Sequence, residues 1–144
     1  MLNKKNILII PKWYPNINDI QNGVFVKKHA RTLSAQHNVT VLHISSNKNQ
    51  QEKYQIINSI DINFNETIVY FRKSNKIINA FRYLIAFIEG FNSLNQKFDL
   101  TIAAVLTRPL LLAYLIKIKH KTPITIWEHW TGYQDGGYKN ISPL

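Results

Sequence analysis

Near its carboxyl end the chain carries Trp127-Glu128-His129-Trp130-Thr131-Gly132-Tyr133, which puts one acid, one imidazole and three aromatic rings within seven residues. A histidine beside a glutamate can hold or move a proton, and aromatic faces suit sugar rings. The competing reading makes Trp127 and Trp130 core residues and His129 a satisfied polar group. HExxH spacing is absent, so no metal is expected there. A second stretch runs from Pro11-Lys12-Trp13-Tyr14-Pro15 to Asn22-Gly23-Val24-Phe25-Val26. A glycine where a loop enters a helix lets backbone approach a ligand, and the helix start offers free N–H groups to an anion. Gly23 can equally serve only to make the turn, since neither GxGxxG nor a P-loop is present. The third stretch is Thr107-Arg108-Pro109, whose arginine can meet a phosphate or stand solvated in a loop. His29 reads as a packing residue on a helix, and His37, His43 and His120 need no functional role. No nucleophile elbow or paired carboxylates stand out.

These stretches matter because of what precedes each one. Asn6 to Ile10 reads as a buried strand, Val24 to Ala35 as a helix with Val26, Ala30 and Leu33 on one face, and Val39 to Ile44 as a second strand. A polar loop, Ser45 to Gln51, follows. Two β-rich pieces, Gln55 to Ile62 and Thr67 to Phe71, flank Asn63 to Glu66. Asn75 to Gln96 is the longest helical pattern, with Ile77, Phe81, Leu84, Ile88 and Phe91 recurring every three or four residues. Leu100 to Val105 is a strand, Thr107 a plausible cap, and Pro109 fits the first turn of a helix to about Lys119. Ile124 to Trp127 closes the pattern. Alternating strands and helices predict an α/β, Rossmann-like, three-layer domain with a mainly parallel sheet. Ligands bind such sheets beyond the carboxyl ends of the strands, where all three stretches fall.

The 144 residues suffice for one domain, and no repeat or linker divides them. Apolar residues are 45% and charged residues 18%, a globular balance. With no cysteine, disulfides and thiolate metal sites are excluded. No run reaches the ~18 apolar residues of a membrane span, and Ile7 to Ile10 is too short for a signal peptide, so a cytoplasmic location is expected. Eighteen Lys/Arg against eight Asp/Glu give a net charge of +10. That field suits anionic partners, although a general bias toward Asn, Ile and Lys explains it as well.

The run Ile7-Leu-Ile-Ile-Pro-Lys-Trp-Tyr-Pro15, then Asn22-Gly-Val-Phe-Val-Lys-Lys-His-Ala30, Leu33 and Val39-Thr-Val-Leu42, resembles the opening of glycosyltransferase family 4 proteins. Their "WYP" loop precedes a "GxFV" helix start. Pro123-Ile-Thr-Ile-Trp-Glu-His-Trp-Thr-Gly-Tyr133 is similar to their "P…EHW(S/T)GY" segment. The resemblance covers most of residues 5–46 and 98–138, in order. It implies the GT-B architecture, two Rossmann-like domains facing across a cleft, and a retaining, metal-independent transfer of sugar from a nucleotide donor to a glycan or lipid-linked acceptor. Residues 1–144 would be the acceptor-side domain, truncated, with the nucleotide-sugar domain absent.

The resemblance also assigns residues. His129 would be the cleft histidine, hydrogen-bonded to the donor sugar rather than acting as a base, and Glu128 its catalytic neighbour and loop brace. Asn22, Gly23 and Val24 would form the loop against the donor diphosphate, where a side chain at Gly23 is expected to obstruct the ligand and leave the fold intact. Trp13, Tyr14, Arg108, Trp130 and Tyr133 would line the acceptor cleft. Thr101-Ile-Ala-Ala104 departs from the family, many of whose members carry histidines in that strand. Two rivals remain. One is a standalone acceptor-binding or membrane-recruiting subunit of a split enzyme, with Arg72, Lys73, Lys76 and Arg82 among Phe71, Phe81 and Tyr83 touching an anionic membrane. The other is a basic nucleic-acid-binding α/β domain, which no RRM, KH or helix-turn-helix signature supports.

Overall fold

The computed structural model describes residues 3–128. Nine elements follow one another: β1 (Asn6–Pro11), α1 (Val24–Ser34), β2 (Asn38–Asn47), β3 (Tyr54–Asp61), β4 (Phe64–Arg72), α2 (Lys76–Ser93), β5 (Leu100–Ala104), α3 (Arg108–His120) and β6 (Ile124–Trp127). They form an α/β fold around one six-stranded sheet of order β3-β4-β2-β1-β5-β6. All neighbours are parallel except β3, which pairs antiparallel with β4. The sheet is therefore mixed but mostly parallel, compatible with a Rossmann-like fold.

β1 shows why the strands read as apolar runs. Its neighbours on both sides are strands, and both its faces are buried, as parallel strands require. Leu8 and Ile10 join Leu42, Ile44, Val69, Phe71 and Ala103 beneath α2 and α3. Ile7 and Ile9 join Val39, Val41, Phe64, Ile102 and Ala104 beneath Val26 and Ala30 of α1.

Three boundaries differ from the sequence reading for physical reasons. β2 continues through Ser45, Ser46 and Asn47, because β4 supplies a parallel partner for each despite their polarity. The two β-rich pieces are a hairpin whose turn is Ile62-Asn63, with Ile62 at φ 41°, so Phe64, Asn65 and Glu66 belong to β4 rather than to a connection. In α2, four of the five residues that recur at helical spacing face outward, and only Phe91 packs toward the core. The buried positions are Ala86, Phe87 and Gly90, with Tyr83 and Phe91 packed beside them, while Ile77, Phe81, Leu84 and Ile88 are exposed. The helix is apolar around most of its circumference, so spacing alone did not fix its phase. Gly90 decides it: a Cβ there would stand 2.5 Å from Val69 and 2.9 Å from Leu42, so this face alone sits close on the sheet.

Candidate functional site

The sheet grows outward from β1 to β2 and β4, then the chain returns to lay β5 on the other side of β1. The carboxyl ends of β1 and β5 thus flank the switch point, where an open α/β sheet leaves a crevice. A depression of about 310 Å³ lies there, lined by Lys12, Trp13, Ile44, Tyr83, Thr107, Arg108 and Pro109. The structure brings together Trp13 and Arg108, 95 positions apart in sequence. The Lys12 ammonium stands 4.6 Å from the centre of the Trp13 ring, and the Arg108 guanidinium 5.6 Å from that of Tyr83. Neither cation has a carboxylate within ion-pair distance among the described residues. Burial pushes the Tyr83 hydroxyl up to about 12, so it is a neutral donor at ordinary pH.

The wall carrying Arg108 is held in an uncommon shape. Val105 takes φ 82°, a costly conformation for a β-branched residue. Bonds from both sides secure it. Val105 N–H donates to the Trp127 carbonyl at 2.8 Å, Thr107 N–H to the Val105 carbonyl at 2.9 Å, and Leu106 N–H to Glu128 Oε2 at 2.9 Å. Glu128 therefore ties the end of β6 to the loop behind the crevice. Thr107 does precede α3, but its hydroxyl makes no cap bond. Its Oγ1 is buried without a hydrogen-bond partner among the described residues, at the rim of the depression.

Gly23 sits at φ 64° immediately before α1, and a Cβ there would lie 2.1 Å from the Trp13 carbonyl oxygen and 2.7 Å from the Tyr14 nitrogen. The expectation that a side chain would leave the fold intact is overturned: Gly23 packs against the backbone of the Trp13 loop. Val24 is half-buried as the first residue of α1. Asn22 opens elsewhere, into a basin of about 440 Å³ above β2 and β4 that it shares with Asn16, Asn18, Ser45, Asn47 and Lys73.

Tyr14 is 1% exposed and lies inside the fold, on the α1 face of the sheet. Its hydroxyl donates to Glu66 Oε1, whose other oxygen accepts from Ser59 Oγ at 3.1 Å. Lys27 Nζ bridges Glu66 and Asp61, 2.9 Å from each, and Arg31 holds Asp61 through two bonds of 2.7 and 2.8 Å. Burial, reinforced by the bond to Glu66, drives the Tyr14 hydroxyl far above its ordinary range. The Arg31 guanidinium holds the Asp61 carboxyl down at about 2. Beside Tyr14, at 5.9 Å between ring centres, His43 is buried with Nδ1 3.3 Å from the Pro11 carbonyl, and burial pushes it down to about 4. This knot anchors the Trp13 loop, the start of α1 and the β3–β4 hairpin.

His129, Trp130 and Tyr133 lie outside the described residues. Lys12, Tyr83 and Thr107 were not singled out as site residues from sequence. Tyr83 was legible in principle, four residues before Phe87 on the inner face of α2. Among the described residues no group of three His, Asp or Glu side chains could hold a metal ion, and no helix is long and apolar enough to cross a membrane. Compared with protein-family models, curated proteins and solved structures, the chain matches none.

Proposed function

We propose that the chain is a Rossmann-like, three-layer, acceptor-side domain of a retaining glycosyltransferase of GT-B type, and that the switch-point crevice receives a phosphorylated glycan or lipid-linked acceptor. The observation that carries this reading is the convergence of Trp13 and Arg108 on one crevice, with Lys12 and the Thr107 hydroxyl, unpartnered among the described residues, beside them. The two loops come from separate parts of the resemblance to family 4 proteins, yet they meet where an α/β sheet binds ligands. Two cations over aromatic rings, with no acid beside them among the described residues, suit a phosphate, and the Trp13 and Tyr83 faces suit a sugar ring.

In this reading a second Rossmann-like domain grips most of the nucleotide-sugar, and no metal takes part. Asn22, Gly23 and Val24 present the start of α1 to the departing diphosphate, whose growing charge the helix N–H groups and nearby cations stabilise. His129 hydrogen-bonds the donor sugar and Glu128 braces the loop. Domain 1–144 alone binds acceptor but turns nothing over, because the donor contacts lie on the other domain.

A titration followed by amide chemical shifts tests this. A short-chain isoprenyl phosphate carrying a sugar is expected to move Lys12, Trp13, Thr107 and Arg108, whereas nucleotide sugars bind weakly and no sugar is transferred. Crevice amides that stay still, or turnover by the 144 residues alone across a donor panel, would overturn the reading. A stronger response to single-stranded RNA at the same salt would favour the nucleic-acid rival.

A further inference from the structure

The outer face of α2 has no partner among the described residues, and its chemistry is uniform. Ile77, Phe81, Leu84 and Ile88 form a stripe along it with Ile78 and Ile85 at its flank; Ile77 is 72% and Phe81 66% exposed. The stripe spans about 17 Å at 1.5 Å per residue. A helix already seated by Ala86, Phe87 and Gly90 gains nothing in water from six more exposed apolar residues. At its amino end stand Arg72, Lys73, Lys76 and Arg82, while its only acid, Glu89, lies in the last turns. Between Phe71 and Lys121 the sequence holds nine Lys/Arg against two Asp/Glu, half of all its cations.

We propose that this face docks on an anionic lipid bilayer, with Ile77, Phe81, Leu84 and Ile88 in the acyl–headgroup boundary and the four cations on lipid phosphates. Charge selects this occupant. A second copy would offer the same face four cations and one acid, whereas phosphate headgroups complement all four. Phe71 and Tyr83, expected in such a face from sequence, take no part: Phe71 is buried, and Tyr83 points into the crevice. The inference stands apart from sugar transfer and is tested without it.

Co-sedimentation with vesicles of phosphatidylcholine alone, or with about one-third phosphatidylglycerol, provides the measurement. The chain is expected to pellet with the anionic vesicles in about 0.1 M salt and to release from them as salt rises. Replacing Ile77→Ser with Phe81→Ser keeps the charge and should weaken partitioning about tenfold with an unchanged circular-dichroism melt. Lys73→Ser with Lys76→Ser should weaken it, and Lys4→Ser with Lys5→Ser, just before the amino end of the central strand β1, should not. Equal losses from the two lysine pairs would reduce the effect to net charge and overturn the proposal. So would full partitioning of the Ile77/Phe81 variant, absence of wild-type binding, or a dimer in sedimentation velocity that Phe81→Ser dissociates.

Discussion

Charge is handled in opposite ways at two places in this domain. On the α1 face, Lys27 and Arg31 each find a carboxylate at hydrogen-bond distance, and Tyr14 and Ser59 supply Glu66 with further donors. At the carboxyl ends of β1 and β5, Lys12 and Arg108 meet aromatic faces and, among the described residues, no acid, beside a hydroxyl with no partner among them. The first arrangement satisfies its members internally, so it can hold a loop, a helix and a hairpin in register but has little to offer a ligand. The second leaves bonding capacity unused, which is costly for a fold and useful for a site. The two are joined through Trp13 and Tyr14, adjacent residues of one loop that face the crevice and the knot respectively. Knot variants should therefore unfold the domain, and crevice variants should leave it folded and unable to bind.

The largest effect is expected from Glu66→Ala. Glu66 is 7% exposed and its carboxylate serves Tyr14, Ser59 and Lys27 together, so its removal strands the buried Tyr14 hydroxyl and leaves Lys27 with Asp61 alone. A loss of about 3 kcal/mol is expected, read as a lower urea midpoint at constant slope. A loss under about 1 kcal/mol would mean that the knot behaves as a surface ion pair, and the contrast with the crevice would fail.

His43 sharpens the same contrast through pH. Burial lowers its folded-state pKa to about 4 from an unfolded value near 6.5, so the unfolded chain takes up a proton that the folded chain refuses. Its contribution is complete above pH ~6.5 and is lost as pH falls toward 4, about 3 kcal/mol over that window. Asp61, held at about 2, loses its own contribution only below the ordinary carboxylate range, so the two windows separate. His43→Gln keeps an N–H for the Pro11 carbonyl and should flatten the stability profile between pH 6.5 and 4. An unchanged slope would assign the acid sensitivity to other groups.

How much of this the sequence disclosed depends on whether a pattern had one reading or two. Ile124–Trp127 and the α1 face of Val26 and Ala30 were legible because apolar and polar positions alternate with a single period. In α2 two apolar stripes compete, and the distance of approach at Gly90, which no spacing encodes, selects between them. Glu66 lay hidden in a segment taken as a connection, although Phe64, Glu66, Ile68 and Tyr70 alternate and so share a face. Trp13 and Arg108 were legible as residues following strands. Their meeting was not, because it depends on β5 being laid beside β1. Gly23 was legible as an entry to a helix, whereas its contact with the Trp13 carbonyl exists only in the folded chain.

Arg108 tests the other half of the comparison and should give the smallest change in stability. The residue is exposed, occupies the first turn of α3, and among the described residues meets the Tyr83 ring and no acid, so Arg108→Ala should shift the folding free energy by no more than about 0.5 kcal/mol. Binding should respond far more. A guanidinium on a phosphate is a charge-assisted contact, so its loss should raise the dissociation constant for an isoprenyl phosphate about tenfold, or about 1.4 kcal/mol. Arg108→Lys keeps the charge but not the planar fork, and recovery of part of the affinity would show how much rests on charge alone. Lys12→Ala should weaken the same ligand, and the double variant should fall short of additivity if both cations meet one phosphate. The uncharged isoprenyl alcohol should bind wild type and variants alike, since only the phosphate reads these cations. If Arg108→Ala instead lowers the urea midpoint as far as Glu66→Ala does and leaves phosphate affinity unchanged, the crevice is a second brace of the fold, and the division between a paired face and an open edge is lost.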